Sequence, residues 1–151
     1  MNTQYLIFTD MDGTLLDHHS YSFKAAVPTL NQLNHLEIPV IPNTSKTFAE
    51  LIILREKLSI TTPFIVENGA GVYIPKNAFS FQPESSTDTG EYWLKSFCQP
   101  RSFWLVLMTQ YAGEFKTLFK GFSQMSDNEL SLTTGLSLKD AHLANTRQFS
   151  E

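Results

Sequence analysis

The sequence predicts an α/β fold with a parallel sheet, because short apolar runs alternate with helical patterns in its first half. The runs 5–8, 38–42 and 63–66 have the length of buried strands. Between them, residues 23–36 and 47–58 carry apolar side chains close to helical spacing. This order of strand, helix, strand, helix and strand is typical of right-handed βαβ crossovers, which produce a parallel sheet.

The strand predictions differ in how well the local residues support them. Residues 5–8 form a run too short for a helix and lie next to a glycine turn, so we expect a buried strand there. Residues 38–42 include two prolines, which are awkward in a central strand because each removes a hydrogen-bond donor. After the third run, residues 72–74 predict a further strand or a hairpin arm.

The character of the sequence changes after Pro75. The polar stretch 82–90 indicates a connection between domains, and we expect helices over 91–97 and 111–119. The aromatic-rich segment 103–107 is expected to lie in the core, because no basic residues interleave it. The predicted domains are therefore residues 1–81, the first part of a core, and residues 82–151.

Two helix starts near the end of the chain are marked by capping residues. Ser126 with Glu129 forms a capping box, which predicts a helix over 127–134 that ends at Gly135. Ser137 starts a second predicted helix over 138–147.

Composition limits the classes of protein to consider. The chain has 151 residues, a formal charge of -4 and a pI near 5.5, without a basic cluster, so nucleic acid is not an expected partner. The single cysteine, Cys98, cannot form an internal disulfide, and the first nine residues show no secretory pattern. No stretch is apolar enough for a membrane span. We expect a soluble cytoplasmic protein that does not bind membranes.

The segment Asp10-Met11-Asp12-Gly13-Thr14 carries the strongest chemical signal. It follows the first predicted strand, at the edge where open α/β sheets place their active sites. Asp10 can attack a phosphorus atom, Asp12 can donate a proton to the leaving oxygen, and Gly13 allows close backbone approach. Two carboxylates facing a phosphate repel it, which implies a divalent cation, most plausibly Mg²⁺. The alternative is a simple Asp-Gly turn.

Two further junctions, each a segment that follows the end of a predicted strand, lie at the same edge of the sheet. In Asn43-Thr44-Ser45-Lys46, hydroxyls and helix amides can hold phosphate, although Thr44 could instead be an ordinary N-cap and Lys46 a solvated helix residue. Asn68 ends the third strand within Glu67-Asn68-Gly69-Ala70, where a plain turn is the alternative. The four histidines lack metal-ligand spacing and receive no role.

With these positions placed, the chain resembles the haloacid dehalogenase-like phosphatases, whose first motif matches residues 10–14 and whose second motif matches Thr44. The segment 67–70 is similar to the branch with a large α/β cap. Later segments, including 125–137 and 147–151, resemble the mannosyl-3-phosphoglycerate phosphatases within this family. The resemblance implies a Rossmann-like parallel-sheet core with an inserted α/β cap over residues 82–151.

The resemblance also implies roles for individual residues. Asp10 would be the nucleophile and Asp12 the acid and base, with the Asp10 carboxylate and the Asp12 main-chain carbonyl on Mg²⁺. The implied substrate is a small phosphorylated sugar or glycerate, in particular mannosyl-3-phosphoglycerate. Candidate phosphate-binding residues are Asp10, Gly13, Thr44 and Ser45, and candidate substrate-binding residues are Lys46, Asn68, Arg147 and Ser150.

One departure from the family pattern changes what is expected of this chain. Family members return from the cap to the core with a motif lysine and a Gly-Asp-x-x-x-Asp metal motif, whereas this sequence stops at Glu151 inside the cap. A fragment, a disrupted gene and a chain completed by another copy are the alternatives. We expect an incomplete sheet with an unpaired edge, and the 151 residues alone should either self-associate or be marginally stable. We also expect little turnover by them. A phosphatase of another sugar phosphate and a non-catalytic phosphometabolite-binding remnant are the competing functions.

Overall fold

The computed structural model describes residues 5–151. In the first half, strands and helices alternate as the sequence predicts, although most elements are shorter than the apolar runs. The elements, in chain order, are β1 (Ile7–Thr9), α1 (Val27–His35), β2 (Val40–Pro42), α2 (Phe48–Leu58) and β3 (Phe64–Val66). The α1 helix starts four residues later than predicted, and Pro28 lies in its first turn, where its missing N–H costs nothing.

The first three strands run parallel, which confirms the predicted crossovers. β1 pairs with β2, with Phe8 opposite Ile41, and a parallel bridge joins Asn43 to Ile65 beside β3. β2 is fully buried despite its prolines. Pro39 precedes the strand and Pro42 is its last residue, so neither removes a donor from the middle of the ladder.

The expectation that the first strand is buried is wrong. Tyr5, Leu6 and Phe8 are all exposed, Phe8 to 58%. The physical reason is that β1 pairs only with β2 among the described residues, so its other edge and one face are uncovered. The predicted unpaired edge is therefore present.

The remaining strands form a second, antiparallel sheet with β3, which the isolated bridge between Asn43 and Ile65 joins to β2. β4 (Gly71–Pro75) pairs with β3, β6 (Tyr92–Ser96) pairs with β4, and the short β5 (Thr87–Asp88) pairs with β6. β4 is therefore the predicted hairpin arm. The predicted linker over 82–90 contains β5.

The helix predicted over 91–97 is wrong, because these residues form β6. Tyr92 and Leu94 pack against the core, whereas the side chain of Trp93 between them faces the opposite side of the sheet. This alternation has the period of a strand, and the aromatic residues favour it. The helix predicted over 111–119 is also wrong, since a 3₁₀ turn (Gly113–Thr117) replaces most of it.

The aromatic segment 103–107 lies within α3 (Arg101–Tyr111), and the expectation that it is core is wrong. Phe103, Trp104 and Val106 are exposed. No element among residues 5–151 covers this face of α3. No helix in the described part of the chain has the length and apolar character needed to cross a membrane.

The two helices predicted from capping residues are confirmed. α4 (Asp127–Thr134) begins with the reciprocal bonds of Ser126 and Glu129 and ends at Gly135, whose φ is +76°. α5 (Leu138–Asn145) begins at Ser137, whose hydroxyl accepts from the Asp140 amide. It ends two residues earlier than predicted.

The core joins residues from both predicted domains. Phe149, near the end of the chain, packs in one cluster with residues of the first half: Met11, Leu16, Leu51, Leu58, Phe64, Val66 and Tyr73. The Thr47 hydroxyl at the start of α2 also donates to the Leu143 carbonyl of α5, at 3.0 Å. The division into residues 1–81 and 82–151 remains a proposal, and the two parts share a sheet and a core.

Candidate active site

In the loop after β1, Met11 is buried and the neighbouring Asp10 carboxylate is exposed. Met11 is fully buried, and its carbonyl accepts from the amides of Thr14 and Leu16 at 3.3 and 2.8 Å. Asp10 therefore faces outward, and its Oδ1 accepts from the Met11 amide at 2.7 Å. Gly13 has a φ of +69°, which favours glycine, whereas an added Cβ would meet only His18 Nδ1 at 3.9 Å. The turn geometry, rather than lack of space, thus explains Gly13.

The second carboxylate of the motif forms an ion pair. Lys46 Nζ lies 3.0 Å from Asp12 Oδ2, and 4.0 Å from Glu50 Oε1 in the same helix region. The other carboxylate oxygen, Asp12 Oδ1, is buried and accepts no hydrogen bond from the described residues. Lys46 is therefore not a freely solvated helix residue, because it orients Asp12.

The loop between β2 and α2 holds Thr44 by its backbone. Thr44 is buried, its amide donates to the Ile65 carbonyl at 3.2 Å, and its hydroxyl accepts from the Lys46 amide at 3.2 Å. The N-cap of α2 is Thr47, which forms a capping box with Glu50. The alternative that Thr44 is merely the helix N-cap is therefore wrong.

The carboxyl ends of the three parallel strands meet at one open pocket of about 420 Å³. Its lining residues are Asp10, Asn43, Thr44, Ser45 and Asn68. Four of them were predicted site residues. Asn43 belongs to the same junction but was given no role, although its position at the end of β2 was a sufficient signal.

The predicted residues Arg147 and Ser150 lie near this edge but do not line the pocket. Arg147 Nε donates to Ser150 Oγ at 2.8 Å, and its Nη2 donates to the Ser45 carbonyl at 2.9 Å. Nη1 of Arg147 forms no hydrogen bond with any residue the structure describes. Arg147 thus contacts the loop that contains Thr44 and Ser45 directly.

Sequence reasoning missed the role of Glu67, which it included in the segment 67–70 without giving it a role of its own. Its side chain is fully buried. The carboxylate accepts from the amides of Gln148, Phe149 and Ser150, at 2.8, 3.1 and 2.9 Å, and from Ser150 Oγ at 2.6 Å. A single sequence gives no signal for this contact, because the donors follow about eighty residues later.

The donor set at the strand ends fits Mg²⁺ as far as this part of the chain supplies ligands. Among residues 5–151 no three His, Cys, Asp or Glu side chains converge to enclose a metal. Mg²⁺ is nevertheless commonly held by only one or two carboxylates, with water and substrate phosphate completing its shell. The buried Asp12 Oδ1 without a hydrogen-bond partner is the oxygen that a nearby cation would satisfy.

Tyr73, beside Glu67, gives a testable pH dependence. Burial raises the pKa of Tyr73 to about 12, and the nearby Glu67 adds to the rise, although the bond to Gln148 opposes it. The folded state binds the phenol proton more tightly than the unfolded state. The contribution of Tyr73 to the unfolding free energy is therefore fully present below about pH 10 and is lost as the pH rises to about 12. We expect a loss of about 2 to 3 kcal/mol in unfolding free energy across this range, measured by urea denaturation.

Tyr73→Phe should remove this loss, whereas Tyr111→Phe, at an exposed tyrosine, should retain it. An equally steep alkaline loss in Tyr73→Phe would contradict the assignment.

The comparisons with known proteins agree with this geometry. The sequence model of the haloacid dehalogenase-like hydrolases matches residues 7–130. The chain belongs to this family, which confirms the resemblance inferred from the motifs.

Within this family, the chain is similar to curated phosphatases of sugar-phosphoglycerates. The chain is 39% identical over 150 residues to a glucosyl-3-phosphoglycerate/mannosyl-3-phosphoglycerate phosphatase of Methanococcoides burtonii, covering 98% of this chain and 54% of the relative. It is 34% identical over 146 residues to a mannosyl-3-phosphoglycerate phosphatase of Pyrococcus furiosus, covering 97% and 58%. The chain therefore spans about half the length of these relatives.

Solved structures support the fold. A haloacid dehalogenase-like hydrolase from B. subtilis superimposes with a TM-score of 0.53 at 18% identity, covering 97% of this chain and 53% of that one. A Thermoplasma acidophilum structure gives 0.51 at 19% identity, covering 71% and 42%. The Rossmann-like α/β fold is thus confirmed.

Proposed function

We propose that this protein is a Mg²⁺-dependent phosphomonoester hydrolase that acts on mannosyl-3-phosphoglycerate through an aspartyl-phosphate. The observation that carries the proposal is the pocket where the Asp10 carboxylate meets the Thr44 junction. The names of the curated relatives supply the substrate. A small phosphorylated sugar-glycerate is the partner, and a cytoplasmic location is part of the same proposal.

The first chemical step belongs to Asp10. Its Oδ1 is held by the Met11 amide, which leaves Oδ2 to attack the phosphorus atom. The P–O bond to the glycerate oxygen breaks as the Asp10–P bond forms. The Thr44 and Ser45 hydroxyls and neighbouring amides hold the phosphoryl oxygens, and Gly13 allows the backbone to approach them.

The proton transfers belong to Asp12. It donates a proton to the leaving oxygen and then takes one from the water that hydrolyses the aspartyl-phosphate. Lys46 keeps the Asp12 side chain at the pocket rim through their 3.0 Å contact. Bound Mg²⁺, held by the Asp10 carboxylate and the Asp12 main-chain carbonyl, would offset the repulsion between the phosphate and the two carboxylates.

The glycerate and sugar groups would meet residues beside the pocket. Arg147 is the proposed ligand of the glycerate carboxylate. Its Nη1 donates no hydrogen bond to the described residues, and a planar guanidinium group can bind a carboxylate through two parallel hydrogen bonds. Asn68 lines the pocket, and Lys46 and Ser150 lie near it. These assignments are proposals about position, as is self-association through the uncovered edge of β1.

The proposed function is tested by substrate preference and metal removal. Because we expect slow turnover by the 151 residues alone, phosphate release is measured with protein in excess over substrate. Mannosyl-3-phosphoglycerate should react at least about tenfold faster than mannose 6-phosphate or glucose 6-phosphate, since Arg147 can bind only the glycerate ester's carboxylate.

Chelation of the metal should stop the reaction, and added Mg²⁺ should restore it. Preference for a hexose phosphate would reject the substrate assignment. Unchanged hydrolysis in the presence of chelator would reject the metal.

A further inference from the structure

The buried carboxylate of Glu67 binds the backbone of a distant segment. Residues 148–150 point three successive amides at it, and the Ser150 hydroxyl adds a fourth donor. The amides of Phe149 and Ser150 and this hydroxyl all reach Oε2, whereas Gln148 reaches Oε1. Such charge-assisted bonds are about twice as strong as neutral ones. Glu67 is therefore the anchor of this segment on the first half of the chain.

The same region also holds the phosphate-binding junction. Three successive carbonyls of that junction each accept one hydrogen bond: Thr44 from the Asn68 amide at 3.0 Å, Ser45 from Arg147 Nη2 at 2.9 Å, and Lys46 from the Glu67 amide at 3.0 Å. Two donors thus come from residues 67–68, and the third comes from the segment that Glu67 anchors. The backbone that aims the Thr44 and Ser45 hydroxyls is fixed from both sides.

The backbone at Glu67 carries strain. Glu67 and Asn68 have φ values of +48° and +61°, in the left-handed region that costs non-glycine residues roughly 1 to 2 kcal/mol. Such conformations persist only where surrounding contacts determine them. Here the turn directs the Glu67 and Asn68 amides to the junction 44–46, while the Glu67 carboxylate faces residues 148–150.

We propose that Glu67 is a positioning residue of the phosphate site, which couples the segment 147–150 to the junction 44–46. The inference rests on the proposed function, which assigns phosphate binding to the junction 44–46. When the carboxylate is neutralised, residues 148–150 lose their acceptor, Arg147 releases the Ser45 carbonyl, and the Thr44 hydroxyl loses its fixed direction. Glu67 does not touch the phosphate.

The test compares Glu67→Gln with a control in the same terminal segment, both in the full 151-residue chain. Glutamine is isosteric but must turn an NH₂ group toward amide donors. The control is Glu151→Gln, because Glu151 is also a buried carboxylate of that segment, but it binds Arg101 and Ser123 instead of the donors of residues 148–150. Amide hydrogen exchange is measured at 44–46 and at 148–150.

Glu67→Gln is expected to speed exchange about tenfold in both segments, because both lose fixed partners. Glu151→Gln should leave the amides of Thr44 and Lys46 unchanged. Faster exchange confined to 148–150 in Glu67→Gln would overturn the proposal, since the anchor would then not reach the junction. If Glu67→Gln does not fold, Ser150→Ala removes the hydroxyl that donates to Glu67 and accepts from Arg147 Nε, and it should show the same pattern at smaller size.

A second readout separates positioning from stability. Inorganic phosphate with Mg²⁺ is added, and the amide resonances of Thr44 and Lys46 are followed by NMR. Glu67→Gln should weaken phosphate binding about tenfold, whereas Glu151→Gln should keep it even though it is also destabilised. Equal weakening in both variants would mean that Glu67 acts only through stability, which overturns the proposal. Absence of phosphate binding by the unsubstituted chain would instead reject the proposed function, while the exchange data still decide the coupling.

Discussion

Asp10→Asn is expected to reduce hydrolysis of mannosyl-3-phosphoglycerate by about a thousandfold or more, because an amide cannot act as the nucleophile. The matched control is Asp17→Asn in the same loop. Asp17 accepts hydrogen bonds from Ser20 and His19, and an asparagine oxygen can still accept them. The measurement is phosphate release with protein in excess, so that a slow reaction remains visible.

The covalent intermediate provides an independent readout. With substrate labelled at the phosphoryl group, acid quenching should leave label on the protein, and hydroxylamine should release it as expected of an acyl phosphate. Asp10→Asn should carry no label, whereas Asp17→Asn should carry as much as the unsubstituted chain. If Asp10→Asn retains a tenth of the activity or any hydroxylamine-sensitive label, Asp10 is not the nucleophile.

Phe64→Ala is expected to lower the unfolding free energy by about 3 to 5 kcal/mol, because it empties the centre of the core. Phe64 is 0% exposed and stacks on Tyr73 at 5.4 Å between ring centroids. The Arg55 guanidinium lies 4.1 Å from the same ring, so the substitution also uncovers a buried cation. Urea denaturation measures the change.

The control is Phe97→Ala, which is the same substitution at a phenylalanine that is 65% exposed. It should change stability by less than about 0.5 kcal/mol. A loss at Phe64 no larger than the loss at Phe97 would show that the aromatic cluster contributes little to folding.

The sequence predicts the first half of the fold well because local patterns and tertiary structure agree there. The first three strands and two helices follow the apolar patterns of their own segments. Later in the chain, the caps of α4 and α5 likewise depend on residues within a few positions of each other. Such elements can be predicted without knowing the rest of the molecule. The convergence of Asp10, Thr44 and Asn68 at one pocket follows from the parallel order of the strands.

The errors have a common cause, which is contact with residues far along the chain. The segment that forms β6 pairs with β4, and this ladder decides between the strand and the helix that was expected there. The exposure of β1 and of the aromatic face of α3 depends on which elements cover them, so apolar composition alone misassigned both to the core. Glu67 was missed for the same reason, since its partners are residues 148–150.

The packing of Phe149 beside Met11 in one cluster also determines when the site can form during synthesis. Met11 anchors the loop that presents Asp10, but its cluster closes only after Phe149 has left the ribosome. Contacts of such long sequence separation form slowly, because the entropy of closing a long loop is lost before the contact is gained. Until Phe149 emerges, the nascent chain thus carries an apolar, unpacked loop around Asp10, and chaperone demand should fall once that residue has emerged.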